Sequence, residues 1–218
     1  MIQTIIFDLS EVLIAGLVGI ERPISAILRI PETEVFARLG GPPLHQLFCG
    51  RLVEDGYLAW LVEHNRWAIR PEQIKRILRQ NFRRTVAGMP EFLGHLAPRY
   101  ELALLSDHAR EWIAYIESVH RFLGQFQARF YSYQLGQTKQ EPSTFQKVLA
   151  RLKREPSQCL FVDDMEANVR VARSVGIPAI RFTTRQNLAL ELEALGVERP
   201  TSPVCPSGRF GFFTASSR

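Results

Sequence analysis

Cysteine is scarce in this sequence: Cys49, Cys159 and Cys205 are the whole complement of 218 residues. They form no C-x-x-C pair and no zinc-ligand spacing, and their odd number gives no disulfide framework. Long apolar runs are missing too. Each is broken by charge well short of the ~18 residues a membrane helix needs. Met1 leads into an apolar stretch with no basic leader or cleavage site, so a cytoplasmic protein is expected. Dense blocks of one charge are also lacking, although Lys and Arg total 27 against 22 acids, giving a net charge of +5. The tightest basic group, Arg76, Arg79, Arg83 and Arg84, follows helical spacing and reads as a solvated helix face. Neither nucleic acid nor membrane is therefore an expected partner.

What remains is a globular composition, 46% hydrophobic and 22% charged, long enough for a substantial core with or without a small inserted domain. One stretch organises it. Thr4-Ile5-Ile6-Phe7 is an apolar run that stops at Asp8, the pattern of a buried strand delivering a carboxylate. An ionised acid there needs a metal, hydrogen bonds or a partner charge.

From Ala15 to about Pro90 helix signals dominate and strand signals are few, which suggests a helical insertion. Val35, Phe36 and Leu39 are expected on one side of a helix beginning near Pro31. Gly40-Gly41-Pro42-Pro43 should close it, with a loop to follow. Pro71 then opens a helix over Glu72–Phe82 carrying Ile74, Ile77, Leu78 and Phe82. Trp60 and Trp67 are expected to pack between such helices.

Beyond residue 91 strands alternate with helices, the pattern of a parallel sheet with right-handed crossovers. Strands are expected at Glu101–Ser106, Arg129–Tyr133, Cys159–Val162 and Ala179–Phe182, and helices at Pro142–Leu152 and Met165–Val175, the last capped by Gly176. The fold class is thus α/β, a Rossmann-like parallel sheet with helices on both faces and a small helical domain. Its segments are 1–14 and 91–198 for the core, 15–90 for the helices and 199–218 for an irregular, Pro- and Gly-rich tail.

In an open parallel sheet, ligands bind beyond the carboxyl ends of the strands. Here those ends present Asp8, Ser106-Asp107 and Asp163-Asp164, with Lys139 in the loop before a helix. Paired carboxylates suit Mg²⁺, and a hydroxyl with a lysine suits phosphate oxygens. The set points to phosphoryl chemistry.

Four segments in order carry a family likeness: Phe7-Asp8-Leu9-Ser10-Glu11-Val12-Leu13, Leu105-Ser106-Asp107, Gly136-Gln137-Thr138-Lys139-Gln140-Glu141-Pro142, and Phe161-Val162-Asp163-Asp164 with Asn168 and Gly176. With these the sequence resembles the haloacid dehalogenase superfamily over residues 2 to about 182, and 15–90 resembles its α-helical cap. The resemblance implies Asp8 as nucleophile of an aspartyl-phosphate, with Ser106 and Lys139 holding the phosphoryl group. It implies Mg²⁺ on an Asp8 oxygen, the Ser10 carbonyl, and Asp163 or Asp164. Asp107 and His108 follow the phosphate-binding serine and are candidate substrate contacts, His108 also a substitute acid.

Two departures stand out. Family phosphatases usually carry a second aspartate two residues after the nucleophile, where this chain has Ser10. General acid–base catalysis typically contributes ~10²–10⁴-fold, so turnover should suffer. Glu11 and Gln140 replace the usual glycine and proline. The expectation is a Mg²⁺-dependent phosphatase of a small phosphorylated metabolite, monomeric or homodimeric. The alternative is an impaired member that binds a ligand or protein. Third comes a dehalogenase, a subgroup that typically lacks the acidic pair.

Overall fold

The computed structural model describes residues 1–197; the expected tail and Cys205 lie outside the described residues. Five strands, β1 (Thr4–Phe7), β2 (Glu101–Ser106), β3 (Ala128–Tyr131), β4 (Cys159–Asp163) and β5 (Ala179–Arg181), form one parallel sheet in the order β3-β2-β1-β4-β5. The chain builds one half outward through β2 and β3, then returns across β1 to build the other, so the order reverses at β1. Such a reversal leaves a crevice at the strands' carboxyl ends.

Alternation along the strands explains the two cores. Ile5, Phe7, Leu102, Leu104, Leu160 and Val162 face one side; Ile6, Ala103, Leu105, Cys159 and Phe161 face the other. Burial on both faces accounts for the continuous apolar runs in the sequence. The second face is covered by α9 (Pro142–Leu152) and α10 (Glu166–Ser174) through Phe145, Val148, Val169 and Ala172.

The first face receives everything between β1 and β2: α1 (Glu21–Leu28), α2 (Glu32–Leu39), α3 (Pro42–Phe48), α4 (Glu54–Asn65), α5 (Pro71–Phe82) and α6 (Met89–Leu96). It also receives α7 (Arg110–Val119) and α11 (Arg185–Ala194), while α8 (Ser132–Leu135) is a single turn after β3. The helices 21–82 are tied to α7 through Glu54, which is buried. Its carboxylate accepts from Trp112 Nε1 at 2.9 Å and Arg79 Nη2 at 2.7 Å, and lies 3.1 Å from Lys75 Nζ. Asn81 adds a second tie, donating to the Gly16 and Val18 carbonyls at 2.8 and 2.9 Å. No helix among the described residues is long and apolar enough to cross a membrane.

Three sequence expectations are corrected. The stretch after Gly41 is a helix, α3, because Pro42 and Pro43 occupy its first turn, where proline's missing N–H is not needed. The strand expected over Arg129–Tyr133 ends at Tyr131 and turns directly into α8. Phe36 does not share the buried face of Val35 and Leu39: those two are one helical turn apart, whereas Phe36 is 47% exposed. Trp67 packs as expected, and Trp60 stacks on His64.

Candidate active site

Strand register assembles the site. Phe7 lies opposite Val162 and Leu104, so the next residue, Asp8, falls beside Asp163, with Ser106 one step beyond on the other neighbour. The Asp8 amide continues the ladder by donating to the Val162 carbonyl at 2.8 Å. Asp8, Asp163 and Asp164 bring carboxylate oxygens within 4.8 Å of one another.

Lys139 neutralises part of that charge. Its Nζ lies 2.6 Å from Asp8 Oδ1 and 2.7 Å from Asp163 Oδ2, with the lysine 2% exposed. Burial alone would depress this ammonium, but Asp163 and Asp8 raise it, and it stays charged. The loop that carries it is pinned on both sides. The Lys139 amide donates to both Asp107 oxygens at 3.1 and 3.2 Å, and Thr144 Oγ1 donates to the Thr138 carbonyl at 2.7 Å. Asp107 therefore orients this loop as well as lining the cavity, and burial pushes its carboxyl up to about 6.

The three acids are not equivalent. Asp163 is fully buried and saturated, accepting from Lys139, from the Met165 amide at 2.8 Å and from Asn168 Nδ2 at 3.1 and 3.2 Å. Asp164 lines the cavity, and burial together with Asp163 raises its pKa. Asp8 is raised as well, by burial first and then by its acidic neighbours against the pull of Lys139. A lone lysine thus leaves this cluster short of positive charge, and its hard oxygen donors fit a divalent cation such as Mg²⁺.

Ser106 Oγ is buried with no hydrogen-bond partner, an orphan polar atom just past the strand end. The position after Asp8 and Leu9 holds Ser10, whose Oγ meets His108 Nε2 at 2.7 Å. His108 is 2% exposed, its Nδ1 has no partner, and burial with the nearby Lys139 pushes its pKa down to about 3, so the imidazole is neutral. Glu11 sits at φ 60°, the left-handed region that favours glycine, the residue that the family resemblance leads one to expect there. Its side chain compensates by accepting from the Gly16 and Val18 amides at 2.9 and 3.1 Å.

These groups open onto a cavity of about 470 Å³ that includes Asp8, Ser10, Asp107, His108, Lys139 and Asp164. Ser106 and Asp163 are buried beside it and do not line it. The opposite wall comes from the helices 21–82 and the turn before them: Leu17, Val18, Phe36, Leu44, His45 and Phe48. Sequence reasoning had no signal for these wall residues. Leu44, His45 and Phe48 fell in a stretch read as loop, and Phe36 was placed on one helix side with Val35 and Leu39. Outside the cavity, His120 bonds the Phe82 carbonyl at 2.6 Å.

Comparison with known proteins places this geometry. Among curated proteins the chain is 28% identical over 127 residues to flavin mononucleotide hydrolase 1 of Arabidopsis thaliana, covering 58% of this chain and 51% of that protein. It is 42% identical over 60 residues to acyl-CoA dehydrogenase family member 10 of Mus musculus, covering 28% of this chain and 6% of the relative. The chain thus spans about half the length, or much less, of these relatives. Among solved structures, a HAD-like family hydrolase from Porphyromonas gingivalis superimposes with a TM-score of 0.73 at 22% identity, covering 91% of this chain and 100% of that one. A HAD family enzyme from Bacteroides thetaiotaomicron, solved with magnesium and inorganic phosphate, gives 0.70 at 19% identity, covering 86% and 99%. At these identities the likeness is one of fold. A family model described as haloacid dehalogenase-like hydrolase matches residues 2–176, and the chain belongs to that family.

Proposed function

We propose that this protein is a Mg²⁺-dependent phosphatase of a small phosphorylated metabolite, with Asp8 as its nucleophile. The observation that carries this reading is a buried carboxylate at the end of the central strand, clamped by Lys139 at 2.6 Å and facing a cavity, with the unpartnered Ser106 hydroxyl nearby. The flavin mononucleotide hydrolase among its relatives, itself acting on a phosphate ester, supports the same chemistry.

In this reading an Asp8 oxygen attacks phosphorus, and the bond to the ester oxygen breaks with its electron pair leaving on that oxygen. An aspartyl-phosphate results. Water then attacks the phosphorus, releasing inorganic phosphate and restoring Asp8. Lys139 offsets charge on the transferring group, and Ser106 Oγ donates a hydrogen bond to one of its oxygens. Asp8, Asp164 and the Ser10 carbonyl would hold Mg²⁺, whose charge when bound favours the ionised form of Asp8. Asp163 then acts by fixing Lys139, because its oxygens are already occupied. Residues 15–90 act as a cap over a core formed by 1–14 and 91–198. Neutral His108 holds Ser10 in place of the proton-donating aspartate usual two residues after the nucleophile.

Ser10 favours a second reading, a member that binds a phosphorylated ligand and turns it over slowly or not at all. A phosphatase screen with Mg²⁺ on wild type, Asp8→Asn and Ser10→Asp separates the two. Activity lost in Asp8→Asn is expected. An inert wild type revived by Ser10→Asp would establish the second reading, and activity indifferent to both Asp8→Asn and chelation would sink the mechanism.

A further inference from the structure

We infer that the alcohol half of the substrate is apolar and carries no second anion, so that the site prefers alkyl or aryl phosphate monoesters to sugar phosphates, bisphosphates or phosphorylated acids. The inference rests on the phosphatase reading and names the substrate class within it.

Large apolar side chains exposed in a group mark binding surfaces, whereas scattered ones need no explanation. Among the described residues eight are exposed, and three of them converge on this one cavity: Val18 at 52%, Phe36 at 47% and Met165 at 51%. Half-buried Leu17, Leu44 and Phe48 complete the apolar wall. Phe36 is the informative case. Its helix already has Val35 and Leu39 for the core, while nearly half of Phe36 stays exposed where it lines the cavity.

Charge points the same way. The lysine of the lining, Lys139, is engaged by Asp8 and Asp163 at 2.6 and 2.7 Å, and the remaining ionisable groups are Glu11, Asp107, Asp164 and two histidines. A second phosphate or carboxylate on the substrate would sit among three acids with no arginine or spare lysine. Arg51 opens onto a neighbouring cleft instead, and its Nη2 donates to the Gly136 carbonyl at 3.5 Å. Thr138, Gln140 and Asn168 line the core side of the cavity, but on the wall built from residues 17–48 a polyhydroxylated body would meet His45 as the one polar side chain, and hydroxyls turned to that wall would stay unpaired at a cost. The cavity, about 470 Å³, falls in the usual range of roughly 300–1,000 Å³ for small-molecule sites.

The test is calorimetric titration of the wild type, with Mg²⁺ present, by methylphosphonate, benzylphosphonate, hexylphosphonate and phosphonoacetate. Benzyl- and hexylphosphonate should bind at least about tenfold tighter than methylphosphonate, the scale of an apolar contact in a fitted pocket. Phosphonoacetate should gain nothing. Phe36→Ala and Val18→Ser should shrink the benzyl-to-methyl ratio, while Ile27→Ser, exposed on α1 and outside the cavity lining, should leave it unchanged. Equal affinities, preference for phosphonoacetate, or no binding by any of the four would overturn the inference. Acetyl phosphate turnover by wild type and Asp8→Asn judges the parent reading separately. Turnover that needs Asp8, with all phosphonates bound alike, removes the substrate class and keeps the phosphatase. Apolar preference without turnover does the reverse.

Discussion

Replacing Lys139 with methionine isolates the electrostatics of the site. The ammonium bridges two carboxylates whose side chains are 7% and 0% exposed, and it is itself 3% exposed. Removing one member of a buried ion pair costs about 3–5 kcal/mol, because the surviving charge is left in low dielectric without a partner. Asp163 keeps its bonds from Met165 and Asn168, whereas Asp8 loses its salt-bridge partner, so the loss should sit near the lower end, about 3 kcal/mol. For a chain of this size that lowers the melting temperature by roughly 6–12 °C. Unfolding would be followed by tryptophan fluorescence at pH 7.5 with a chelator present, so that no metal takes the lysine's place. The decisive comparison is a double-mutant cycle with Asp8→Asn. Once Asp8 is a neutral amide, Lys139→Met should cost about 2 kcal/mol less than it does in the wild type. A single-mutant loss below about 1 kcal/mol, or two losses that simply add, would refute the claim that Lys139 offsets the Asp8 charge.

Glu54→Gln removes the carboxylate that links Trp112, Arg79 and Lys75; a loss of about 3 kcal/mol is expected in urea unfolding, since Arg79 is left half-paired. Gly16→Ala should destabilise by about 1–3 kcal/mol and depress activity, because the new Cβ would lie 2.5 Å from Ser10 Oγ and 2.6 Å from its Cβ. Both effects are read from unfolding midpoints and phosphate release. Asp107 titrates at about 6 in the fold against 3.8 unfolded, so its contribution is fully present below about pH 4 and is lost as pH rises through 6. Asp107→Asn, which keeps an acceptor for the Lys139 amide, should therefore gain about 2 kcal/mol on wild type between pH 4 and 7.5 in denaturant titrations; a constant difference would contradict the raised pKa.

The sheet was legible because its strands are buried on both faces, so Ile5-Ile6-Phe7, Leu102–Leu105 and Leu160–Val162 read as unbroken apolar runs ending in polar residues. The acids were legible as polar ends of those runs, which register brings side by side, while Lys139 reaches them from the loop before α9. What stayed hidden was set by rotation and by distance along the chain. Nothing local distinguishes Phe36 from Val35 and Leu39, because a helix places neighbours about 100° apart and only packing decides which face is core. Pro42-Pro43 read as a breaker because proline ends helices from within, whereas here it starts one. The difference in bonding between Asp163 and Asp164 depends on Asn168 and Lys139, whose bonds only the folded chain displays.

Ser10 shows most clearly how a local departure acquires meaning from a distant residue. Alone it is a missing acid, but the fold sets His108, 98 residues away, at 2.7 Å from its hydroxyl. His108 Nδ1 is buried with no partner, and an orphan N–H is costlier than an orphan lone pair, so the proton belongs on Nε2, donated to Ser10 Oγ. The serine's own hydrogen is then free to face the cavity that Ser10 lines. On the proposed reading that hydrogen can steady a departing oxygen by hydrogen bonding, yet it cannot be handed over as a carboxylic acid's proton can. On that reading the site would suit esters whose leaving groups depart without much help, and an aryl phosphate is such an ester. On the proposed reading, position 10 would favour the aryl members of the class that the apolar wall admits, since an alkoxide departs poorly without a proton.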